Sequence, residues 1–304
     1  MRALAAVTLG VLACAGRGRA PAAPSTSQAP TGVVNTDSVA PSEGAASMPQ
    51  VPSTSPCAPS GDGRVCFPAG LGSFGRSGPE GVFEERPQHA ARLRAFEIDR
   101  REVTAGAYGA CVAEGRCAAP GCEAPGAAEP VRCVSWQDAM AYCAFVRARL
   151  PTEAEWERAA AGTVDAPRAF PWGSTVEGTT EDVTPEGVRD LGGGVAEWTL
   201  DPGGFYPSLP RPEPLDAGAM VNFAMDAAVD TTDAMDVARE PVERTEAGVV
   251  ILDDPRGPSR SPWRVARGGD STLPVARRTS TLRRFRLPPD RLPWVGFRCA
   301  ASLP

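Results

Sequence analysis

The sequence predicts one domain of short capped helices and small strands joined by long loops, carried behind an export signal and a tether. Three observations lead there. Helix-start signatures cluster between residues 104 and 157, Gly and Pro punctuate most of the chain after Gly162, and the cysteines form an even set once the first is set aside. At 304 residues and 42% hydrophobic content, the chain is long enough to bury a substantial core. The net charge is −6 and every basic residue is an arginine. No global basic field exists, which excludes the usual electrostatics of nucleic-acid binding.

Residues 1–14 read as a lipoprotein signal. Met1-Arg2 is a short charged start, Ala3 to Ala13 is apolar but too short to span a bilayer, and Val11-Leu12-Ala13-Cys14 looks like a bacterial lipobox. In such signals the cysteine, here Cys14, becomes the first residue and carries the lipid, so the expected location is the cell envelope. The competing reading is an ordinary cleaved signal with Cys14 discarded. Residues 15–55 are rich in Ala, Pro, Ser and Thr without an apolar period and read as a flexible tether. Residues 56–304 form the expected domain.

Eight cysteines remain after Cys14: Cys57, Cys66, Cys111, Cys117, Cys122, Cys133, Cys143 and Cys299. An even number in an exported chain points to disulfides, although roughly a hundred connectivities are open to eight cysteines. Zinc competes poorly, because no Cys-x2-Cys pair exists and His89 is the only histidine. Cys57 and Cys66 bracket a Gly-containing turn and suggest a stapled hairpin. Arg92 to Ile98 alternates and reads as a strand. Thr104 caps a helix carrying Tyr108, Cys111 and Val112. Cys111 to Cys133 is a cysteine-rich loop, for which Cys111–Cys117 and Cys122–Cys133 is the simplest pairing. Ser135 to Asp138 opens a second helix with Ala139, Tyr142, Cys143 and Val146 on one face. Thr152-Glu153-Ala154-Glu155 is a capping box opening a third, with Trp156, Ala159 and Ala160 as its buried stripe. Capping, dipole and surface roles account for Glu153, Glu155 and Glu157. Trp156, Trp172, Trp198 and Trp294 read as core.

Charge changes sign along the C-terminal half. Residues 205–255 carry eleven acids against three arginines and read as a partly disordered insert, whereas 256–298 carry eleven arginines against Asp270 and Asp290. The sign reversal suggests that the insert is a lid competing with an anionic ligand for Arg277, Arg278, Arg283, Arg284 and Arg286. The plainer alternative is a solvated face and a solubilising loop.

An ordered series of segments resembles the formylglycine-generating-enzyme (sulfatase-modifying-factor) family. Phe96-Glu97-Ile98-Asp99 with Glu102-Val103-Thr104 comes first, then Val131 to Tyr142 (VRCVSWQDAMAY). Arg149 to Glu157 (RLPTEAEWE) is the most specific piece. Phe170 to Gly173 (FPWG), Asp190 to Trp198 (DLGGGVAEW), Arg264 to Gly269 (RVARGG) and Gly296-Phe297-Arg298 complete it. The resemblance implies an α+β, C-type-lectin-like fold with few short helices and strands and much irregular loop. It also implies a Cys143–Cys299 disulfide; two buried free thiols are the alternative.

The resemblance implies chemistry that this chain lacks the residues to perform. Family enzymes oxidise a sulfatase cysteine to formylglycine with dioxygen, using copper(I) on two cysteines just past the RGG segment. Here that stretch runs from Asp270 as DSTLPVARRTSTLRRFR, and no cysteine lies between Cys143 and Cys299. Copper is therefore not expected. A second branch forms carbon–sulfur bonds on a three-histidine iron centre, which one histidine cannot supply. The resemblance leaves a calcium open at Glu197, although Gly194 stands where the family carries a ligating Asn; the plainer role for Glu197 is to pair with an arginine. The reading that follows is a surface-tethered, non-catalytic binding or structural module, its partner an envelope protein or an anionic glycan. The alternative is an oxidoreductase of the same family acting on protein cysteine, or a related activity of unrecognised chemistry. A third reading is an assembly factor that presents cysteine substrates.

Overall fold

The structure is a computed structural model and describes residue 57 and residues 63–77, 82–123, 126–176, 181–206, 242–244 and 250–303. The signal, Cys14, the tether and most of the acidic insert lie outside the described residues. In chain order the strands are β1 (Arg64–Phe67), β2 (Gly70–Phe74), β3 (His89–Leu93), β4 (Phe96–Asp99), β5 (Gly162–Thr163), β6 (Ala166–Pro167), β7 (Ala196–Pro202), β8 (Val242–Arg244), β9 (Val250–Asp253), β10 (Arg264–Arg267), β11 (Arg283–Arg286), β12 (Val295–Gly296) and β13 (Ala300–Ser302). They form three sheets, ordered β1-β4-β13, β11-β10-β7-β12 and β6-β5-β2-β3-β9-β8.

The helices begin where capping chemistry places them. In α1 (Ala105–Ala113) the Thr104 hydroxyl accepts from the Ala107 N–H. In α2 (Trp136–Phe145) Ser135 and Asp138 close a full capping box, and in α3 (Glu153–Ala161) Thr152 and Glu155 do the same. Gly162, at φ +83°, turns the chain out of α3. Side-chain acceptors thus satisfy N–H groups that have no partner inside the helix.

Two expectations for these elements are corrected. The Arg92–Ile98 stretch is not one strand: it splits into β3 and β4, which belong to different sheets. At Arg94, whose side chain is 86% exposed, the chain leaves one sheet for the other. The third helix does not bury a stripe. Every residue from Glu153 to Ala161 is buried, the three glutamates included. The charged face is covered because arginines from the neighbouring sheet meet it.

The core has two parts. One gathers Phe67, Phe74, Phe96, Ile98, Trp156 and Leu191 around α3. The other packs Tyr108, Tyr142, Trp198 and Phe297 between α1, α2 and the four-stranded sheet. Four disulfides join Cys57 to Cys66, Cys111 to Cys117, Cys122 to Cys133 and Cys143 to Cys299. The last ties α2 to the residue just before β13. The far end of the acidic insert is built into the fold, since β9 runs parallel to β3 with Ile251 opposite Ala90.

Candidate functional site

Strand β11 decides where the arginine-rich segment points. Side chains alternate across a strand. Phe285 faces inward, so Arg283 must share its buried face, whereas Arg284 and Arg286 emerge on the other side. Opposite β11, Arg267 of β10 stands across from Arg283. Like charges directly opposed would be destabilising. Here α3 presents Glu153 and Glu157, one turn apart on one face, to both of them. The Arg283 Nε lies 2.7 Å from Glu153, Arg267 lies 3.5 Å from Glu153, and Arg267 also pairs directly with Glu157. Glu157 further accepts from the Tyr206 hydroxyl at 2.7 Å and from the Gly75 N–H at 2.7 Å. Burial pushes the Glu157 carboxyl above its ordinary range while Arg267 pulls it back. Arg283 therefore does not belong to a ligand-binding face; it is 3% exposed and part of the interior.

The remaining arginines of the expected set separate further. Arg278 donates to the Leu273 and Ser271 carbonyls, at 2.9 and 3.2 Å, and so folds its own loop. Arg277 is exposed, and among the described residues it makes no ion pair. Arg284 reaches Asp270 at 3.3 Å, and the Asp270 carboxylate also accepts from Thr272. Arg284 and Arg286 lie over the Trp294 ring at 4.8 and 5.0 Å from its centre. Burial, then the neighbouring Arg284, lowers the Arg286 pKa. Asp270, Thr272, Arg277, Arg284, Arg286 and Trp294 line a cleft of about 290 Å³. Trp294 is accordingly half-buried and forms a cleft wall, unlike the fully buried Trp156 and Trp198. The sequence reading missed Trp294, Asp270 and Thr272; the alternation of Arg283-Arg284-Phe285-Arg286 is the signal that separates the arginines.

A second buried ion pair lies under the Asp190–Trp198 segment. The Arg298 guanidinium donates twice to Glu197, at 2.6 and 2.7 Å, and to the carbonyls of Asp99 and Arg189. The Trp156 indole N–H also donates to Glu197, at 2.9 Å. A calcium at Glu197 would have to displace these donors. The space beside Gly194, where a ligating side chain would project, holds the Glu102 carboxylate. Copper(I) wants soft thiolates. The eight cysteines from Cys57 onward are all in disulfides, and the segment after Gly269 has none. The residues present do not fit that metal. Among the described residues no group of three His, Cys, Asp or Glu side chains is arranged to hold a metal ion.

Residues 49–186 match the family model of the sulfatase-modifying factor enzyme 1-like domain. This is a formylglycine-generating-enzyme-like domain. A formylglycine-generating enzyme of Thermomonospora curvata is 30% identical over 188 residues, covering 57% of this chain and 55% of that protein. The inactive C-alpha-formylglycine-generating enzyme 2 of Bos taurus is 56% identical over 45 residues, 15% of each chain. The chain spans about half the length of the formylglycine-generating enzymes it matches most extensively. Among solved structures, PvdO from Pseudomonas aeruginosa superimposes with a TM-score of 0.53 at 22% identity, over 79% of this chain and 94% of that one. The likeness to PvdO is one of fold, and the mixed sheets with short helices and long loops make that fold α+β.

The formylglycine-generating-enzyme-like domain also holds a titrating group beneath its most specific motif. Asp201 accepts from the Glu153 N–H at the start of α3, and burial raises its carboxyl to about 7. A folded-state value above the unfolded one stabilises the fold at low pH, and that contribution is lost as pH rises from about 4 through 7. His89 acts oppositely: burial lowers its ring to about 4, so its contribution is present above about 6.5 and lost as pH falls toward 4. Asp201→Asn should therefore reduce the stability slope between about pH 5 and pH 8, where Asp182 and Glu102, raised by burial to about 6 and about 8, add slope of the same sign, while leaving the acid limb set by His89. Urea unfolding of both proteins at the two pH values is the check. An unchanged difference between them would show that Asp201 does not titrate in this window.

Proposed function

We propose that the chain is a non-catalytic binding module, tethered to the bacterial cell envelope through Cys14, on a formylglycine-generating-enzyme-like scaffold. The observation that carries this reading is the state of the cysteines. Each one in the domain is in a disulfide, and none stands in the loop after Gly269 where the family's copper(I) chemistry needs two. Arginines, which carry no acceptor, occupy that stretch instead. The inactive relative in Bos taurus shows that a protein of this kind can be named for lacking the activity. The module's partner is an envelope component, held by the face that the arginines and Trp294 form.

The test uses the full chain and its Cys14→Ser variant. Titration with copper(I) in the presence of a chelating indicator should take no metal from the indicator. A cysteine-containing sulfatase peptide should remain unmodified under oxygen with copper present. The wild-type chain should sediment with membranes and the Cys14→Ser chain should not. Stoichiometric copper uptake or conversion of the peptide to formylglycine would establish the competing reading, an oxidoreductase acting on protein cysteine.

A further inference from the structure

We propose that the cleft between β11, the Asp270–Arg278 loop and Trp294 binds an acidic saccharide, one carrying a carboxylate or sulfate on a hydroxylated ring. The proposal rests on the non-catalytic reading and names the ligand class of that same face.

The first support is charge. Three arginines and one carboxylate line the cleft. Arg284 and Asp270 offset each other at 3.3 Å. Among the described residues Arg286 donates to the Phe285 carbonyl, at 2.6 Å, and Arg277 has no anionic partner. Arg286 is half-buried beside the like charge of Arg284, and burial and that charge lower its pKa although the Asp290 carboxylate partly offsets them. A cation held in that way is only partly neutralised and has room for an anion. The second support is preorganisation. Trp294 holds both guanidinium groups against its ring, so less side-chain freedom is lost when they donate as a planar fork to an oxyanion.

The remaining lining groups argue for hydroxyls beside the anion. Asp270 would repel a second anionic group placed against it. Its carboxylate already accepts from Thr272 and Arg284, and it offers further lone pairs to an O–H donor. The cleft volume of about 290 Å³ suits one substituted sugar ring better than an extended peptide. Sheet register fixes the geometry, with Arg286 opposite Arg264 and Arg284 opposite Ala266 on β10.

Calorimetric titration of the full chain in detergent micelles provides the test, with methyl galacturonide as probe, galactose as the neutral sugar and inorganic sulfate as the free anion. The galacturonide should bind saturably. Arg286→Ala should weaken it by about tenfold or more, the loss expected for one charge-assisted hydrogen bond. Arg277→Ala, at an exposed position that the fold does not need, should weaken it in the same direction. Arg116→Ala, which removes an exposed charge elsewhere, should leave the affinity unchanged. Galactose and sulfate should each bind at least about tenfold more weakly. Sulfate binding as tightly as the galacturonide would reduce the cleft to a free-anion site and overturn the saccharide. Absence of saturable binding at about 10 mM, or unchanged affinity in both arginine variants, would overturn the site altogether. Copper(I) uptake tests the non-catalytic reading separately, so the two failures are distinguishable.

Discussion

Replacing both Cys143 and Cys299 with alanine should lower the unfolding free energy by roughly 4–5 kcal/mol, the largest effect expected from any single crosslink here. The bridge spans 156 residues, whereas Cys111–Cys117 spans 6 and Cys122–Cys133 spans 11. In the chain-entropy account a crosslink acts on the unfolded state, and its effect grows with the logarithm of the loop it closes. The six-residue loop should therefore contribute only about 2 kcal/mol. The comparison is clean because the sulfurs are similarly placed: Cys111, Cys143 and Cys299 are fully buried and Cys117 nearly so. Cavity effects should be alike in the two double variants. Urea unfolding of Cys143→Ala/Cys299→Ala beside Cys111→Ala/Cys117→Ala measures the difference. Equal losses in the two proteins would mean that native packing around the bridges, and not loop closure, sets their contribution.

Which parts of this structure were legible in the sequence follows from whether the cause was local. The three helix starts were legible because a cap is a contact between residues three apart: Thr104 with Ala107, Ser135 with Asp138 and Thr152 with Glu155. The division of Arg92–Ile98 into two strands was not, because it depends on β4 pairing with β1 and β13 while β3 pairs with β2 and β9. Alternation along seven residues carries no information about which sheet each half joins.

The charged residues of Arg149–Glu157 show the same limit at the site. Read locally, the three glutamates suit a solvated helix start. In the fold each has a distant cation or a structural task. Glu155 takes both Arg149 nitrogens, at 2.6 and 2.7 Å, as well as closing the cap. Glu153 meets Arg283, 130 residues later, and Glu157 meets Arg267. Trp156 donates to Glu197, which in turn holds Arg298. The family resemblance found these segments in order along the chain but could not say that they meet in pairs. The RLPTEAEWE and RVARGG segments join through Glu157 and Arg267, and the DLGGGVAEW and GFR segments through Glu197 and Arg298. The cleft was half legible: its arginines stood out by composition, but the alternation of β11 was needed to send Arg283 inward. The expected lid over that cleft falls mainly on residues 207–241, outside the described residues.

The buried pair at the centre of this arrangement carries the other large effect. Glu157→Ala should destabilise the fold by about 3–5 kcal/mol, because it leaves the Arg267 guanidinium in the interior without its closest counter-charge. Arg267 and Glu157 are both 0% exposed, so water cannot substitute. The Tyr206 hydroxyl and the Gly75 N–H lose their acceptor at the same time. Glu153 compensates only in part: it remains 3.5 Å from Arg267, but its carboxylate also serves Arg283. Removing both charges is a different experiment. In Glu157→Met/Arg267→Met neither ion is left unpaired, and two apolar side chains of similar length fill the space. Replacing a buried pair in this way is often close to neutral, so the double variant should be distinctly more stable than Glu157→Ala. Tyr206 gives a second readout. Its hydroxyl is held well above the usual phenol range by burial, then by the Glu157 charge. Loss of its partner should free the Phe205–Tyr206 segment, seen as faster amide exchange there while the β4 amides remain protected. Urea unfolding and hydrogen exchange of the two variants decide the matter together. A double variant no more stable than the single one would show that the Arg267–Glu157 pair stabilises the fold in its own right, beyond avoiding an unpaired charge.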